Sequence, residues 1–422
     1  MNHSKPSLLF CLPVLLSFYC VDIECVSGQD WPQYRGPNAT GKLQTESASL
    51  DMGTGKLTVH WKVEAPLGFS SISIVGDKAV TLVSRNDKEV CVALDVESGR
   101  ELWATEFGTS DYKQKGGNAG AQGNKGGDGP RSTPAINDNR VFVYDAHLGL
   151  HCLNLADGKI VWKHDIEKEF DGEIIKWNNA SSPLIDSDHV YVSGGGEGQS
   201  FMAFDQTTGD LKWKSGNEKM THASPAFAKM DNRKLIVYFM QFGLVAVDAE
   251  TGKEAWRSRF PFDVSSAASP IVNGAKVYCS AGYGVGAGMY DVSDSTNIKE
   301  MWRKPNRLMN HWSSPVLHDG HLFGLYRFKR YGSAPLRCVD FETGEIKWSQ
   351  DGFGQGNCII AAGKLIVLSD YGELVIAEPD TMNYKELWRG KVVDGKCWST
   401  PAFANGKIFI RSTKEAVCIS FE

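Results

Sequence analysis

Apolar and polar residues alternate along the chain in short runs that end at turn-forming residues. The clearest example runs from Ala246 to Trp256 and reads Ala-Val-Asp-Ala-Glu-Thr-Gly-Lys-Glu-Ala-Trp. One alternating run enters Asp248, and Thr251 with Gly252 supplies a tight turn. A second run then leads to the tryptophan. Alternation with a period of two is typical of half-buried strands, so the phrase predicts two antiparallel strands joined by a hairpin.

The same phrase recurs along the chain and ends each time in a tryptophan. The Gly position is held by Gly99, Gly209, Gly252 and Gly344 in the best copies, and the other copies lack one or more landmarks. Copies that stand roughly 40 to 60 residues apart indicate a repeat protein. We expect the closing indoles to wedge between neighbouring repeats as structural residues. They are Trp61, Trp103, Trp162, Trp213, Trp256, Trp302, Trp348 and Trp388.

A Ser-Pro or Thr-Pro dipeptide opens most repeats. Proline presets the backbone and cannot donate to a strand ladder, so it suits the first residue of a strand. A further apolar run follows each dipeptide, which brings a repeat to four strands. The dipeptides begin at Thr133, Ser182, Ser224, Ser269, Ser314 and Thr400.

The first and last repeats are each incomplete. Residues 57–63 read as a lone strand containing Trp61, whereas residues 400–421 show three strands and no closing tryptophan. The N-terminal strand should therefore complete the last repeat. The pattern predicts an all-β protein over residues 57–422, an eight-bladed β-propeller of four-stranded antiparallel blades whose closure protects the strand edges.

The first 28 residues are typical of an export signal. Lys5 precedes an apolar stretch over residues 8–19, and Val26-Ser27-Gly28 offers small residues for cleavage. The stretch is too short to span a bilayer. Residues 1–28 therefore predict a periplasmic or secreted protein without an integral membrane span after cleavage, and an uncleaved anchor is the alternative. Residues 29–56 read as an extended segment that lies across the surface of the fold.

The net charge and the positions of the cysteines limit which partners and which cysteine chemistry to expect. The 422 residues carry a formal net charge of -5, which gives no basic footprint for nucleic acid. Cys152, Cys338 and Cys418 occupy one equivalent strand position in different repeats, too far apart to form disulfides. We expect buried free thiols. The sequence contains neither a Cys-x-x-Cys motif nor two adjacent cysteines.

The repeated Ala-x-Asp-x-x-Thr-Gly-x-x-x-Trp phrase resembles the repeat of the pyrroloquinoline quinone (PQQ) superfamily of propellers. That superfamily includes quinoprotein alcohol dehydrogenases and a propeller subunit of the outer-membrane β-barrel assembly machinery. The phrases beginning at Trp31 and Gly129 are similar to those of exported PQQ-like propellers of planctomycete-type bacteria. The resemblance covers the chain from about Trp31 to its C-terminus, and it is specific for fold rather than for activity.

The resemblance also implies a cofactor chemistry to look for. Quinoprotein dehydrogenases bind PQQ with calcium or a lanthanide beside a vicinal disulfide, and they use a catalytic aspartate. This shorter chain shows no adjacent cysteines and no identifiable counterpart of the metal ligands or the aspartate. We therefore expect no catalytic residue and no cofactor, with PQQ plus calcium as the alternative.

Departures from the repeat cluster just before the first strands. In a propeller these segments gather around one mouth of the central channel, where a ligand would meet them. Aromatic, amide and imidazole groups there suit a flat polar ligand, a sugar or a peptide end, and the alternative is that they fill the channel. The ligand-binding candidates are Arg131, Trp177, Asn178, Asn179, His222, His311, Trp312, Gln355, Asn357 and Trp398.

Three further segments carry features that could bear on function. The Gly-rich insertion over residues 107–131 reads as a disordered segment or a surface flap, with a mobile lid over the mouth as the alternative. Residues 326–331 combine cations and aromatics in either a solvated loop or a docking patch. Asp291, Asp294 and Asn297 lack a complete calcium loop, so we predict no metal site.

The leading hypothesis is an exported, non-catalytic propeller scaffold that binds a protein or cell-envelope ligand at the channel mouth. One rival is a PQQ-dependent or related oxidoreductase. The other is a carbohydrate-binding or lyase-like propeller that uses Trp177, Trp312 and Trp398 as stacking platforms.

Overall fold

Eight separate β-sheets make up the fold in a computed structural model of the protein. The structure describes residue 1 and residues 30–43, 49–112, 127–260, 262, 265–326 and 334–422. The predicted signal, the middle of the insertion and most of the loop at 326–331 lie outside the described residues. Within the described ranges, no helix has the length and apolar character needed to cross a membrane.

The elements follow the chain in order. β1 (Lys42–Leu43) and β2 (Leu57–Glu64) precede the first complete blade. Blade 1 contains β3 (Ser73–Val75), β4 (Lys78–Arg85), β5 (Lys88–Asp95) and β6 (Glu101–Thr109). Blade 2 contains β7 (Ala135–Asn137), β8 (Arg140–Tyr144), β9 (Gly149–Asn154) and β10 (Ile160–Asp165), and the short helix α1 (Ile166–Phe170) follows. Blade 3 contains β11 (Leu184–Ile185), β12 (His189–Val192), β13 (Phe201–Asp205) and β14 (Leu211–Ser215). Blade 4 contains β15 (Ala226–Met230), β16 (Arg233–Met240), β17 (Gly243–Asp248) and β18 (Glu254–Arg259).

The second half repeats the arrangement. Blade 5 contains β19 (Ile271–Asn273), β20 (Lys276–Ala281), β21 (Gly286–Asp291) and β22 (Lys299–Lys304). Blade 6 contains β23 (Val316–His318), β24 (His321–Leu325), β25 (Leu336–Asp340) and β26 (Ile346–Gln350). Blade 7 contains β27 (Asn357–Ala361), β28 (Lys364–Leu368), β29 (Glu373–Glu378) and β30 (Lys385–Lys391). Blade 8 contains β31 (Ala402–Ala404), β32 (Lys407–Arg411) and β33 (Glu415–Phe421).

The N-terminal strand closes the ring. β2 pairs antiparallel with β33, from Leu57 opposite Phe421 to Glu64 opposite Glu415, and so becomes the outer strand of blade 8. The predicted eight-bladed propeller, with its last blade completed by the N-terminal strand, is confirmed. Because β2 and β33 belong to one sheet, the ring of blades is closed and has no open edge at which blades could separate.

The repeated phrase holds neighbouring blades together. The Trp213 indole donates from Nε1 to the carbonyl of Ala249 in the next blade at 2.9 Å. Its ring packs against Gly252, which has φ of +67° and whose hypothetical Cβ would lie 2.3 Å from that ring. The same indole-to-carbonyl bond to the following blade is made by Trp61, Trp103, Trp162, Trp302 and Trp348. The phrase therefore pairs a turn glycine with the indole of the preceding blade.

The segment before β2 departs from the prediction. We call residues 30–43 the N-terminal strap. The strap lies inside the channel rather than across the surface, since Trp31 is 1% exposed and Arg35 is 2% exposed. Its last residues, β1, pair in parallel with β27 as a fifth strand of that sheet. Arg35 donates to the carbonyls of Ser314 and Pro315 at 3.0 and 2.8 Å, which ties the strap to blade 6.

The cysteines behave as predicted wherever they are described. All of them are buried, with free thiols. They are Cys91, Cys152, Cys279, Cys338, Cys358, Cys397 and Cys418. Burial raises the pKa of the Cys338 thiol to about 12, so this sulfur stays protonated and acts as a small core residue.

Candidate functional site

A cavity of about 150 Å³ lies at one mouth of the channel. This end of the propeller, which we call the mouth face, carries the connections between blades and the turns between second and third strands. Tyr34 of the strap lines the cavity from within the channel, so the strap separates it from the opposite end. The other lining residues are Phe69, Ser71, Arg131, Trp177, Ala180, His222, Ser265, Ala267, Tyr283, His311, Trp312, Trp398 and Thr400.

Six of the predicted candidates meet at this cavity. They come from five blades and are brought together by the segments that precede the inner strands, where the sequence departs from the repeat. They are Arg131, Trp177, His222, His311, Trp312 and Trp398.

The four remaining candidates support the backbone instead of lining the cavity. Asn179 is 1% exposed, and its amide donates to the carbonyls of Tyr144, Asp145 and Ser181. The Asn357 amide donates to the carbonyl of Trp398 at 2.6 Å. These two side chains fix the loops that carry the lining residues.

Asn178 and Gln355 contribute through their main-chain carbonyls. The carbonyl of Asn178 accepts a hydrogen bond from His222 Nε2 at 2.9 Å, and that of Gln355 accepts from Trp312 Nε1 at 3.1 Å. Both residues therefore orient a neighbouring ring of the lining.

His222 is held as a neutral imidazole in one tautomer. A carbonyl can only accept, so the bond to Asn178 places the proton on Nε2. Nδ1 then accepts from the Ser265 hydroxyl at 2.6 Å. Burial, followed by the charge of Arg131, lowers the pKa of His222 to about 3. With both nitrogens engaged and no charge at neutral pH, His222 positions its neighbours and is a poor acid or base.

The second histidine is also neutral. Burial and then His222 lower the pKa of His311 to about 3. Its ring stands edge-on to Tyr283 at 4.9 Å and lies 5.1 Å from the ring of Trp312. The lining therefore carries one permanent positive charge, that of Arg131, whose Nη1 donates to the carbonyl of Trp177.

The aromatic side chains form a packed series along the cavity wall. The ring centroids of Trp312 and Trp398 are 4.0 Å apart, and that of Phe69 lies 4.7 Å from Trp398. Trp398 Nε1 donates to Asp370 at 2.9 Å, and Lys396 pairs with the same carboxylate at 3.3 Å. Trp398 is only 9% exposed, so it holds the neighbouring rings of Trp312 and Phe69 in place and offers little surface to a ligand.

The backbone is strained beside the cavity. Trp177 and Asn178 both have positive φ, of 74° and 63°, although neither is glycine. Such conformations cost about 1 kcal/mol or more and persist only where the surroundings impose them. The bonds from Arg131 and His222 to the carbonyls of these two residues supply that constraint.

Sequence reasoning missed part of the lining and a buried acidic cluster behind it. Tyr34, Phe69 and Tyr283 line the cavity, and only the position of Tyr283 in a turn between two strands could have indicated it. Glu89 is fully buried, and it accepts hydrogen bonds from the Tyr112 hydroxyl and from the amide of Ala146. Glu89 lies within a regular strand of the repeat, so the sequence pattern does not distinguish it from other strand residues.

The cluster around Glu89 reaches the cavity through Arg131. The guanidinium of Arg131 lies over the Tyr112 ring at 5.4 Å from its centroid. Asp145 is 5% exposed and accepts from His151 Nε2 at 2.9 Å. Burial, and then the charge of Asp145, raise the pKa of Glu89 to about 8, against the opposing effect of its two donors. Burial and the neighbouring carboxylate thus favour the protonated form of Glu89.

Metal-ligating side chains do not gather in the described ranges, where no group of three or more His, Cys, Asp or Glu residues has suitable geometry. Asp291 accepts from the Ser293 amide at 2.9 Å, and Asp294 accepts from the Thr296 amide at 2.9 Å. Both aspartates therefore act as turn residues.

A sequence profile of the family described as outer membrane protein assembly factor BamB matches residues 86–350 and 332–421. The chain belongs to the BamB family. A member from Burkholderia pseudomallei, strain K96243, is 25% identical over 294 residues, which is 66% of this chain. The match spans 65% of the length of that relative.

Solved structures share the fold of this BamB-family chain. BamB from Moraxella catarrhalis superposes with a TM-score of 0.61 at 16% identity, covering 87% of this chain and 98% of that one. Quinohemoprotein alcohol dehydrogenase from Comamonas testosteroni superposes with a TM-score of 0.66 at 13% identity, covering 93% and 80%. The expected PQQ-like β-propeller is confirmed, and at these identities the likeness concerns the fold alone.

Proposed function

We propose that this protein is a non-catalytic scaffold that recognises a protein partner with its mouth face. The carrying observation is the aromatic cavity at that face, in which His222, Trp312 and Trp398 already use their ring N–H groups to hold the lining. Neutral His222 and His311 supply neither charge nor an activated nucleophile. Aromatic rings in a partly buried pocket are the usual anchoring points of protein interfaces.

The rim of the cavity adds apolar surface. Leu67, Tyr283 and Tyr371 lie on the mouth face and are 44%, 45% and 46% exposed. They come from the connection into blade 1 and from turns of blades 5 and 7, so they surround the cavity on several sides. A partner that covered this rim would bury the apolar groups together with the cavity.

The family description supports one class of partner. The matching profile and the Burkholderia relative are both described as outer membrane protein assembly factors. We therefore infer a partner among proteins of outer-membrane assembly and a location in the periplasm, which the predicted export signal supports. A secreted protein that binds another cell-envelope ligand is the broader form of the same proposal.

The mouth cavity does not fit PQQ with calcium. Its described lining contains no carboxylate, whereas calcium is bound by carboxylate and carbonyl oxygens. Its volume of about 150 Å³ is below the roughly 300 to 1,000 Å³ of ordinary cofactor sites. Arg131 alone would face the acidic cofactor, so the oxidoreductase alternative finds no support in this donor set.

The carbohydrate alternative needs open ring faces. Trp398 is packed against Trp312 and Phe69, so it presents little free face for a sugar. Trp177 lies near His222 with ring centroids 6.2 Å apart. The three tryptophans therefore do not form one continuous stacking platform, and the packing favours an anchoring pocket for a protein side chain.

Copurification from the native host tests the proposal. We expect outer-membrane assembly proteins to copurify with the wild-type chain, and the triple variant Leu67→Glu, Tyr283→Glu and Tyr371→Glu to lose them by at least about tenfold, as hot-spot losses do. Met382→Glu, at a residue 68% exposed on the opposite face, is the matched control. Equal thermal unfolding of the variants would show that the fold is intact. Retention of the same proteins by the folded triple variant would contradict the proposal.

A further inference from the structure

Each inner strand points one amide N–H away from its own blade and toward the channel. In a hairpin with a two-residue turn, the two residues that flank the turn are hydrogen-bonded to each other. The residue just before the first of these therefore points its N–H and C=O away from the partner strand. In blade 7 the flanking pair is Ala361 with Lys364, and the amide of Ile360 points into the channel. The strap uses this amide, because Ile360 donates to the carbonyl of Gly41 at 2.9 Å.

The strap satisfies the equivalent amide in three other blades. Ile74 of blade 1 donates to the carbonyl of Trp31 at 2.9 Å. Ile136 of blade 2 donates to the carbonyl of Pro32 at 2.7 Å, and Ile185 of blade 3 donates to Gln33 Oε1 at 3.1 Å. The strap thus runs from blade 1 to blade 3 and then crosses to blades 6 and 7. It passes by blades 4 and 5.

The equivalent amides of blades 4 and 5 belong to Lys229 and Val272. The flanking pairs are Met230 with Arg233 and Asn273 with Lys276. Neither Lys229 nor Val272 donates its amide to any described residue. β15 is also as long as β27, the inner strand that carries the added β1, although its channel edge pairs with no strand in the described part of the chain.

A second cavity, of about 650 Å³, lies beside these amides at the end of the channel opposite the mouth face. Three consecutive residues of β15, Phe227 to Lys229, line it, which places the strand edge and not one face against the space. Val272 lines the blade 5 side, and the strap turn at residues 37–40 closes the remaining side.

The charge of the second cavity indicates what it would accept. Its one carboxylate, Asp186, is engaged by Lys234 at 2.5 Å and by the Tyr191 hydroxyl at 2.7 Å. Lys229 is exposed and makes no ion pair with any described residue. The lining thus offers two amide donors, one uncompensated ammonium group, the apolar side chain of Val272 and the Phe227 ring, one face of which lies under the Lys234 ammonium group.

We propose that this second cavity binds an extended, acidic peptide segment of a partner protein by strand addition to β15. The peptide runs parallel to β15, as β1 runs parallel to β27, and one of its carbonyls accepts from the Lys229 amide. A carboxylate of the peptide pairs with the Lys229 side chain, and an apolar residue packs on Phe227. The site is separate from the mouth face, and it stands independently of the partner proposed there.

A defined probe tests this site. The probe is a fluorescent, capped seven-residue peptide, Thr-Val-Asp-Val-Glu-Val-Thr, and fluorescence anisotropy measures its binding to the full chain. We expect saturable binding that weakens about tenfold when the central residues are N-methylated, because N-methylation removes the main-chain donors of the peptide. Absence of binding up to about 1 mM would overturn the proposal.

Two variants at one position separate the main-chain contact from the charge. Lys229→Pro removes the amide that faces the channel and leaves the pairing of β15 with β16 intact, so we expect about tenfold weaker binding. Lys229→Ala keeps the amide and loses only the exposed charge, so it should weaken binding about twofold to threefold. Equal binding by the proline variant and the wild type would overturn the proposal.

Hydrogen exchange on the wild-type protein covers the case in which the proline variant fails to fold. Saturating peptide should slow exchange at the Lys229 amide at least about tenfold and leave Ile360 unchanged, since Ile360 already donates to the strap. Unchanged exchange at Lys229 with bound peptide would overturn the proposal.

Discussion

Arg411 shows how a single residue joins the last blade to the first. It is 1% exposed, and its guanidinium donates to the carbonyls of Leu82 and Leu67 without any carboxylate partner among the described residues. Burial lowers the pKa of Arg411 to about 9, so the side chain remains charged at neutral pH. The cation is retained because main-chain oxygens surround it.

Replacing Arg411 should therefore destabilise the ring. Arg411→Met keeps most of the stem and leaves several buried carbonyls without a donor, which should lower the free energy of unfolding by about 3 kcal/mol. Arg411→Lys keeps the charge but has fewer donors. Its free energy of unfolding should therefore lie between those of Arg411→Met and the wild type. Urea titration followed by tryptophan fluorescence measures both. A loss below about 0.5 kcal/mol in Arg411→Met would contradict the role assigned to this residue.

Glu89 should give the stability a distinctive pH dependence. Its pKa is about 8 in the folded protein and near the model-compound value of 4.5 when unfolded, so the folded state binds the extra proton between these values. The contribution of Glu89 to stability is therefore greatest below about pH 4.5 and declines as the pH rises toward 8, by at most about 1.4 kcal/mol per pH unit.

The variant Glu89→Gln isolates this effect, because glutamine resembles the protonated acid. The stability of the wild type relative to Glu89→Gln should fall between pH 5 and pH 8, measured by urea titration at each pH. A difference that stayed constant, or that rose with pH, would show that Glu89 is ionised in the folded protein.

The sequence predicted the loops that carry the site better than the individual side chains that line it. Arg131, Trp177, His222 and Trp312 line the cavity as expected, because the departures from the repeat fall where the chain enters the inner strands. Asn179 belongs to the same kind of segment but turns inward to bind carbonyls. Pattern alone cannot distinguish the two roles, since both require a polar residue in a loop.

The hairpin between the third and fourth strands is the element on which the repeat depends. Gly252 has φ of +67°, and an added Cβ would lie 2.3 Å from the Trp213 ring. Gly252→Ala should therefore combine a backbone cost of about 1 kcal/mol with overpacking of about 1 to 3 kcal/mol. Gly76, with φ of +57° and no heavy atom within 4 Å of an added Cβ, provides the control.

Thermal and urea unfolding of the two alanine variants tests this role. Gly76→Ala should show only the backbone cost, of about 1 kcal/mol. Gly252→Ala should lose at least twice as much. Equal losses would mean that the contact with the indole adds nothing to the packing between blades.

The N-terminal strap is the element that the sequence did not place. Its Pro and Gly residues correctly indicated irregular backbone, and β1 is only two residues long. Its position in the channel depends on contacts with five different blades, from Ile74 to Ile360, that lie far away in the sequence. Local patterns carry no information about such contacts, so burial of Arg35 and Trp31 became visible only in the assembled ring.

For the whole molecule, the repeat was enough to predict the number of blades and the closure of the ring. Both follow from the spacing of the repeated tryptophans and Ser-Pro or Thr-Pro dipeptides along the chain. Whether the mouth binds a cofactor or a partner protein depends instead on which side chains the folded ring brings to the cavity. We expect PQQ with calcium to leave the thermal unfolding midpoint unchanged, whereas a ligand at 100 times its Kd would add about 2.7 kcal/mol of stability. The same PQQ stock added to a quinoprotein apoenzyme is the control, and a clear upward shift would support the oxidoreductase alternative.

Site-specific photocrosslinking in the native host tests the proposed recognition by the mouth face most directly. A benzophenone amino acid replaces Tyr371 on the mouth face or Met382, also exposed, on the opposite face. Mass spectrometry then identifies the products. We expect an outer-membrane assembly protein to crosslink to position 371 and not to position 382. Absence of such a product at 371, or an equal yield at 382, would contradict this expectation.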